Sequence, residues 1–119
     1  MKDTRTYRRG EIYLVDLGKR PGSEQGGCRP AIIVQNDVGN YYGPTLIVAP
    51  ITSRFYKKPR QPTHYTLDDV ENLANPSVVL AEQLVTIDKQ RVIKYLGKVS
   101  EWQMEHIDRT LEVSLDLGE

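Results

Sequence analysis

The sequence is poor in the residues on which disulfide-bonded and metal-binding proteins depend. Cys28 is its single cysteine, so no internal disulfide can form. With the two histidines, His64 and His106, that cysteine makes a poor ligand set for structural zinc. We therefore expect no metal site and no cofactor, and a reducing cytoplasm is the simplest compartment for this chain.

Long hydrophobic runs are also missing. The longest, such as residues 46–49, span a few residues, whereas a membrane-spanning helix needs roughly 20. The basic N-terminus has no apolar segment behind it and does not look like a signal peptide. A chain of 119 residues, 39% hydrophobic and 27% charged, predicts one soluble globular domain with no membrane partner.

Charge is balanced overall but unevenly distributed along the chain. Residues 1–60 hold 11 Lys and Arg against 5 Asp and Glu, and residues 61–119 hold 5 against 11. A polyanionic ligand is therefore expected to bind the N-terminal half. A chance gradient that folding scatters over the surface is an equally good interpretation of this pattern alone.

Short β-rich segments separated by turns occupy most of the chain, and a helical pattern occupies its end. Ser100 followed by Gln103 is typical of a helix capping box, and Met104, Ile107, Leu111 and Leu115 then recur at helical spacing toward a core. Pro50 lacks an amide donor, which predicts a free edge or a bulge in its strand. The pattern predicts a mainly β (α+β) fold, a small curved antiparallel barrel with a C-terminal amphipathic helix. The predicted strands cover residues 11–16, 30–35, 45–51, 63–67, 77–85 and 92–99.

Polar residues gather at the ends of these predicted strands. If neighbouring strand ends meet, Arg29, Thr52 and Glu24 converge on one site, where the arginine fork suits phosphate oxygens. The alternative is a simple tight turn with an edge charge, which the spacing alone favours. Cys28 as an activated thiol and His64 as a general base are weaker hypotheses, because a buried thiol and a structural hydrogen bond are the commoner roles.

Several blocks of the chain resemble the MazF/PemK toxin family, and the closest likeness is to the Gram-positive type of MazF. The two most specific blocks are GSEQGGCRP at residues 22–30 and EQLVTIDKQR at residues 82–91. Residues 9–13, 34–37, 50–53 and 62–64 follow the same family order and spacing. The resemblance implies that residues 1–119 form a single toxin domain, in which residues 1–8 are an N-terminal extension.

The resemblance implies an SH3-like barrel that forms a homodimer and acts as the toxin of a type II toxin–antitoxin pair. It implies cleavage of single-stranded RNA at short sequences without a metal ion. Arg29 and Thr52 match the family's catalytic pair, and Glu24 is a further catalytic candidate. The implied antitoxin carries an acidic, partly disordered segment that folds onto the RNA groove.

The same resemblance, together with the basic half of the chain, predicts a set of RNA-binding residues. The loop at residues 18–21 is more basic than the family pattern leads us to expect, so the cleavage sequence is not carried over. A gyrase-poisoning toxin, a non-catalytic SH3-like binding module and a Cys28 enzyme are the competing interpretations. The predicted RNA-binding residues are Lys19, Arg20, Ser23, Gln25, Ser53, Arg54, Glu82, Gln83 and Arg91.

Overall fold

A computed structural model of the chain describes residues 6–22, 24–53, 61–74 and 76–118. Within these ranges seven antiparallel strands and two α-helices follow one another along the chain. The strands are β1 (Glu11–Asp16), β2 (Cys28–Ile33), β3 (Thr45–Thr52), β4 (His64–Leu67), β5 (Ser77–Leu80), β6 (Val85–Asp88) and β7 (Val92–Lys98). The helices are α1 (Asp37–Tyr42) and α2 (Glu101–Leu115).

The strands pair in the order β4-β5-β3-β2-β1-β7, and β6 also pairs with β3. The central strand β3 therefore has three partners, which it contacts at different points along its length. The pairing does not close into a ring. A single turn of 3₁₀ helix, Lys89–Arg91, connects β6 directly to β7. The predicted mainly β (α+β) fold with a C-terminal helix is confirmed.

Two apolar clusters lie on the two faces of this sheet, because side chains alternate between faces along each strand. One cluster, which contains Ile32 and Ala49, packs against Ile107 and Leu111 of α2. The second contains the neighbouring strand residues Ile33 and Val48, with further residues of β1 and β6. The strands β1, β2 and β3 contribute to both clusters, which fixes their register on each face.

Tyr7 precedes the first strand but belongs to the second cluster, with 3% of its surface exposed. Its ring meets Tyr13 of β1 edge-on at 5.2 Å, and Tyr13 meets Tyr95 of β7 at 5.4 Å. The Lys89 ammonium lies 5.7 Å from the centre of the Tyr7 ring. Residue 7 of the predicted extension is therefore part of the folded core.

A register shift interrupts the pairing along β3 at Pro50. On one side of it Val48 pairs with Val85 of β6, and on the other Ile51 pairs with Val79 of β5. Between these two pairs the β5–β6 segment has three more residues than β3 has, and the 3₁₀ turn Ala81–Gln83 accommodates them. The extra residues belong to the partner segment and not to β3, so the free edge or bulge predicted at Pro50 stays a prediction, whereas the prediction of one continuous strand over residues 77–85 is wrong.

Helix α2 begins with the capping box predicted from the sequence. The Ser100 hydroxyl accepts from the Gln103 amide at 3.1 Å, and the Gln103 side chain accepts from the Ser100 amide at 2.8 Å. Ile107 and Leu111 are buried as predicted, but Leu115 is 51% exposed and lines an open cavity between α2 and the side of the sheet that carries Ile47 and Leu84. Neither this helix nor α1 has the length and apolar character needed to cross a lipid bilayer, in the part of the chain that the structure describes.

Replacing Ser100 by alanine removes the oxygen that satisfies the Gln103 amide at the start of α2. We expect the free energy of unfolding to fall by about 1 kcal/mol, the usual cost of losing an N-cap. Urea denaturation followed by circular dichroism measures this change. Ser100→Asp keeps a good capping oxygen and should retain the stability of the parent protein, so an equal loss in both variants would contradict the capping role.

Candidate active site

Arg29 and Thr52 lie at the same end of two neighbouring strands. Ala31 of β2 pairs with Pro50 of β3, and Ile33 pairs with Val48. Arg29 and Thr52 each lie two residues beyond the Ala31–Pro50 pair, at the same end of β2 and β3. Thr52 is 3% exposed, whereas Arg29 is half-buried. The two residues that the sequence singles out therefore lie at one end of two neighbouring strands.

The Arg29 guanidinium is anchored by the loop that precedes its own strand. Its Nε donates to the Gly26 carbonyl at 2.7 Å. Arginine has five N–H donors, and the four on Nη1 and Nη2 make no hydrogen bond to a residue that the structure describes. The charge is thus held in place by one donor while the other four remain able to bind an anionic ligand.

Two adjacent glycines allow the loop to fold back against the end of β1. The Gly27 amide donates to the Gly18 carbonyl at 2.8 Å, and the Leu17 amide donates to the Gly27 carbonyl at 2.9 Å. A Cβ atom at Gly26 would lie 2.8 Å from the Gly18 carbonyl oxygen, which no side chain tolerates, and Gly27 has a φ of +75°. The glycine pair is thus needed to bring the Gly26 carbonyl to Arg29.

A cleft of about 340 Å³ opens beside this pair of strands. The loop between β1 and β2 forms one wall, and the 3₁₀ turn with the residues after it forms the other. Pro50 lies between the two walls, two residues before Thr52 and on the same face. The residues that line the cleft are Arg20, Pro21, Glu24, Gln25, Pro50, Glu82, Gln83, Leu84 and Val85.

One hydrogen bond joins the two walls of the cleft. The Gln25 backbone amide donates to the Gln83 side-chain oxygen at 2.8 Å. Gln25 also has a buried side-chain oxygen, Oε1, without a partner among the described residues. A buried acceptor without a donor is unfavourable by about 1–3 kcal/mol. The loop wall therefore carries an acceptor that a ligand donor could satisfy after a small local shift.

The Glu82 carboxylate on the opposite wall is held by two neighbours from the start of β4. Its Oε2 lies 3.0 Å from His64 Nε2, and its Oε1 accepts from the Thr63 hydroxyl at 3.3 Å. His64 has only 7% of its side chain exposed. Side chains alternate along β4, so the next residue, Tyr65, packs toward α2. Burial there, followed by the negative charges of Asp69 and Asp68, raises the pKa of the Tyr65 hydroxyl.

Glu24 and Arg20 face each other across the loop side of the cleft. The Arg20 Nη1 lies 3.8 Å from Glu24 Oε1, and the Arg20 Nε donates to the Leu17 carbonyl at 3.0 Å. Most of the Glu24 side chain is exposed. Such an ion pair at the surface contributes little to stability, so both side chains can turn toward a ligand.

The other predicted RNA-binding residues are distributed more widely. Ser53 is exposed directly after Thr52, and Lys19 is exposed on the far side of the loop. The Arg91 Nη1 donates to the Asp16 carbonyl at 3.4 Å, at the β7 side of β1. Arg91 lies in the turn between β6 and β7 and does not line the cleft. Ser23 and Arg54 lie outside the described residues.

The arrangement combines a fixed cation, a buried hydroxyl and a polar cleft, which suits the binding of a phosphodiester. Within the described ranges, no three His, Cys, Asp or Glu side chains converge in a way that could hold a metal ion. The sequence analysis missed the apolar cleft residues Pro50, Leu84 and Val85. In the sequence, apolar residues next to the polar pair Glu82 and Gln83 look like core residues. Only the register shift along β3 indicates that they line a cleft.

Comparisons with known proteins give the chain a family and a set of structural relatives. Residues 8–115 match the family model described as a PemK-like, MazF-like toxin of type II toxin–antitoxin system. A mycobacterial endoribonuclease, solved in complex with its cognate antitoxin, is 26% identical with a TM-score of 0.79 over 95% of this chain and 98% of that chain. MazF from Deinococcus radiodurans is 24% identical, with a TM-score of 0.77 over 94% and 98% of the two chains. The Mycobacterium tuberculosis toxin MazF-mt6 is 24% identical, with a TM-score of 0.75 over 92% and 99%.

Proposed function

Because the chain belongs to the PemK-like, MazF-like toxin family of type II toxin–antitoxin systems, we propose that it cleaves single-stranded RNA at specific sequences without a metal ion. The observation that supports this proposal is that the anchored Arg29 and Thr52 lie at the same end of the paired strands β2 and β3, two residues beyond the pair that Ala31 makes with the cleft residue Pro50. A guanidinium and a hydroxyl at one strand end can grip a phosphate on two sides.

The nucleophile in this proposal is the ribose 2′-OH of the substrate itself. It attacks the adjacent phosphorus in line, which closes a 2′,3′-cyclic phosphate and breaks the bond to the 5′-oxygen of the next nucleotide. That oxygen takes up a proton, in balance with the one lost by the 2′-OH, and leaves as a 5′-hydroxyl. Arg29 stabilises the charge on the phosphoryl oxygens through its Nη donors, and Thr52 fixes the phosphate or the 2′-OH by a hydrogen bond. Glu24, exposed at the rim of the cleft, is a candidate to accept the 2′-OH proton.

The toxin works in the cytoplasm as a homodimer in this proposal, with messenger RNA as its substrate. A symmetric pair would join the grooves of two subunits into a longer binding surface. An antitoxin with an acidic, partly disordered segment would fold onto the groove and exclude RNA, because Arg20 lines the cleft and Arg29 keeps free donors at the neighbouring strand end. In this proposal the chain acts as a single toxin domain, of which the family model matches residues 8–115.

Cleavage of RNA in the presence of EDTA tests the chemistry directly. We expect cutting to continue at an unchanged rate in EDTA, with products that carry a 2′,3′-cyclic phosphate or 3′-phosphate and a free 5′-OH. A substrate with 2′-deoxyribose at the scissile position should remain intact because it lacks the nucleophile. End-labelled oligonucleotides resolved on a gel report both results, and cutting of the deoxy substrate would exclude 2′-OH attack.

The same assay separates the competing functions. A gyrase poison or a binding module on this fold would give no RNA product at any enzyme concentration. An enzyme that depended on the exposed Cys28 thiol would lose activity after thiol alkylation, whereas the proposed nuclease retains it.

A further inference from the structure

We propose that the cleft holds one nucleobase of the RNA and selects a base that carries an exocyclic amino group. The inference rests on the proposed function, since it concerns which nucleotide the nuclease accepts beside its scissile phosphate. Adenine, cytosine and guanine have such an amino group and uracil does not.

The size and walls of the cleft suit a single planar base. Its volume of about 340 Å³ lies at the lower end of the range for small-molecule sites. Pro50, Leu84 and Val85 contribute apolar surface, against which the faces of a base can pack. The cleft begins two residues from Thr52 on the same face of the sheet, so a base in it belongs to a nucleotide next to the bound phosphate.

Among the side chains that line the cleft, the Glu82 carboxylate is the acceptor whose position is best fixed for a hydrogen bond from an amino group. His64 and Thr63 each engage one of its two oxygens, and they fix the carboxylate on the cleft wall. A carboxylate has about four acceptor positions, so two remain for a ligand. Because His64 is almost fully buried, its contact with Glu82 cannot be readily lost to water.

The loop wall adds a second carboxylate, Glu24, most of which is exposed. The buried Gln25 Oε1 has no partner among the described residues, and the side-chain amides of Gln25 and Gln83 can also donate hydrogen bonds. Discrimination therefore depends on the fixed Glu82 carboxylate. An amino group donates to it, whereas the O4 carbonyl of uracil in the same position would be repelled by its oxygens.

Cleavage of an RNA library with randomised positions identifies the selected base. The 5′-OH ends of the products are sequenced for the parent protein and for Glu82→Gln. For the parent we expect one position next to the cut site at which uracil is depleted by about 10-fold or more, the discrimination that a good base contact provides. Glu82→Gln should admit uracil at that position alone, because an amide offers both a donor and an acceptor.

Glu71→Gln is the matched control, because Glu71 is exposed and does not line the cleft. It removes the same negative charge and should leave the preference at every position unchanged. If both variants change the preference equally, the effect is general electrostatics and the base pocket is excluded. Preference is a ratio within each variant, so a lower overall rate in Glu82→Gln does not affect the comparison.

Single-atom changes in the best substrate complete the test. Purine riboside for adenosine, inosine for guanosine or uridine for cytidine removes the amino group at the selected position. We expect kcat/KM to fall by about 10-fold or more for the parent and by less than about 3-fold for Glu82→Gln. Equal rates for the parent on both substrates would overturn the base pocket and leave the nuclease intact, whereas no cleavage of any RNA would overturn both.

Discussion

Replacing Arg29 by alanine is expected to lower the rate of RNA cleavage by a factor on the order of 10²–10³. The guanidinium brings the positive charge that meets the developing charge on the phosphoryl oxygens, and its Nε bond to Gly26 holds it in place before substrate arrives. Removal of a fixed donor of this kind costs mainly kcat, because the interaction strengthens in the transition state. Single-turnover cleavage of a labelled oligonucleotide measures the effect.

Two further variants separate catalysis from charge and from folding. Arg29→Lys keeps the positive charge but loses the planar fork, so its rate should fall between those of the parent and Arg29→Ala. Arg109→Ala removes an exposed arginine of α2, away from the cleft, and should cleave at the parent rate. If Arg29→Ala is folded by circular dichroism and cleaves as fast as the parent, Arg29 has no part in the mechanism.

Replacing Tyr7 by alanine is expected to lower the free energy of unfolding by about 3–5 kcal/mol, as for other buried aromatic residues. Tyr7 is 3% exposed and packs edge-on against Tyr13, with Lys89 near its ring. Its loss would leave a cavity in the second apolar cluster, next to Tyr13 of β1. Urea denaturation gives the change in stability.

Tyr42→Ala is the matched control, because the Tyr42 side chain is 79% exposed on α1. Its effect should stay within about 0.5 kcal/mol, the usual range for surface substitutions. Tyr7→Phe keeps the ring and removes the hydroxyl, so it should retain most of the stability. A Tyr7→Ala protein as stable as the parent would mean that residue 7 is dispensable for the fold.

Local sequence patterns predict most of the strands, because these segments have an alternation or a compact apolar run. The capping box at Ser100 and the helical spacing of Ile107 and Leu111 likewise predict α2. These signals arise from contacts within a few residues. The short elements β6 and α1 are not among the predicted ones, and Leu115 follows the helical spacing yet is exposed at an open cavity.

The candidate site is harder to predict from local sequence patterns, because it depends on the pairing of strands that are far apart in the sequence. The convergence of Arg29 and Thr52 is predicted only on the condition that neighbouring strand ends meet, and the pairing of β2 with β3 that puts both at one end is a long-range feature. His64 and Glu82 are 18 residues apart, and no local pattern indicates their contact. The 3₁₀ turn Ala81–Gln83 is hidden inside an apolar run, whose composition is equally compatible with one continuous strand.

The segment from β5 to β6 that runs beside β3 is three residues longer than the stretch of β3 that it accompanies. This difference in length affects which residues can change as such proteins diversify. Val48 pairs with Val85 and Ile51 with Val79 on either side of this longer stretch. Leu80 and Ala81 at its start are fully buried, but Glu82 and Gln83 line the cleft. These two residues can therefore be exchanged with little effect on the hydrophobic interior, and new recognition preferences can evolve there at little risk to folding. If the three extra residues were deleted, the partner strand could pair with β3 without interruption, and the cleft that would bind a ligand would be lost.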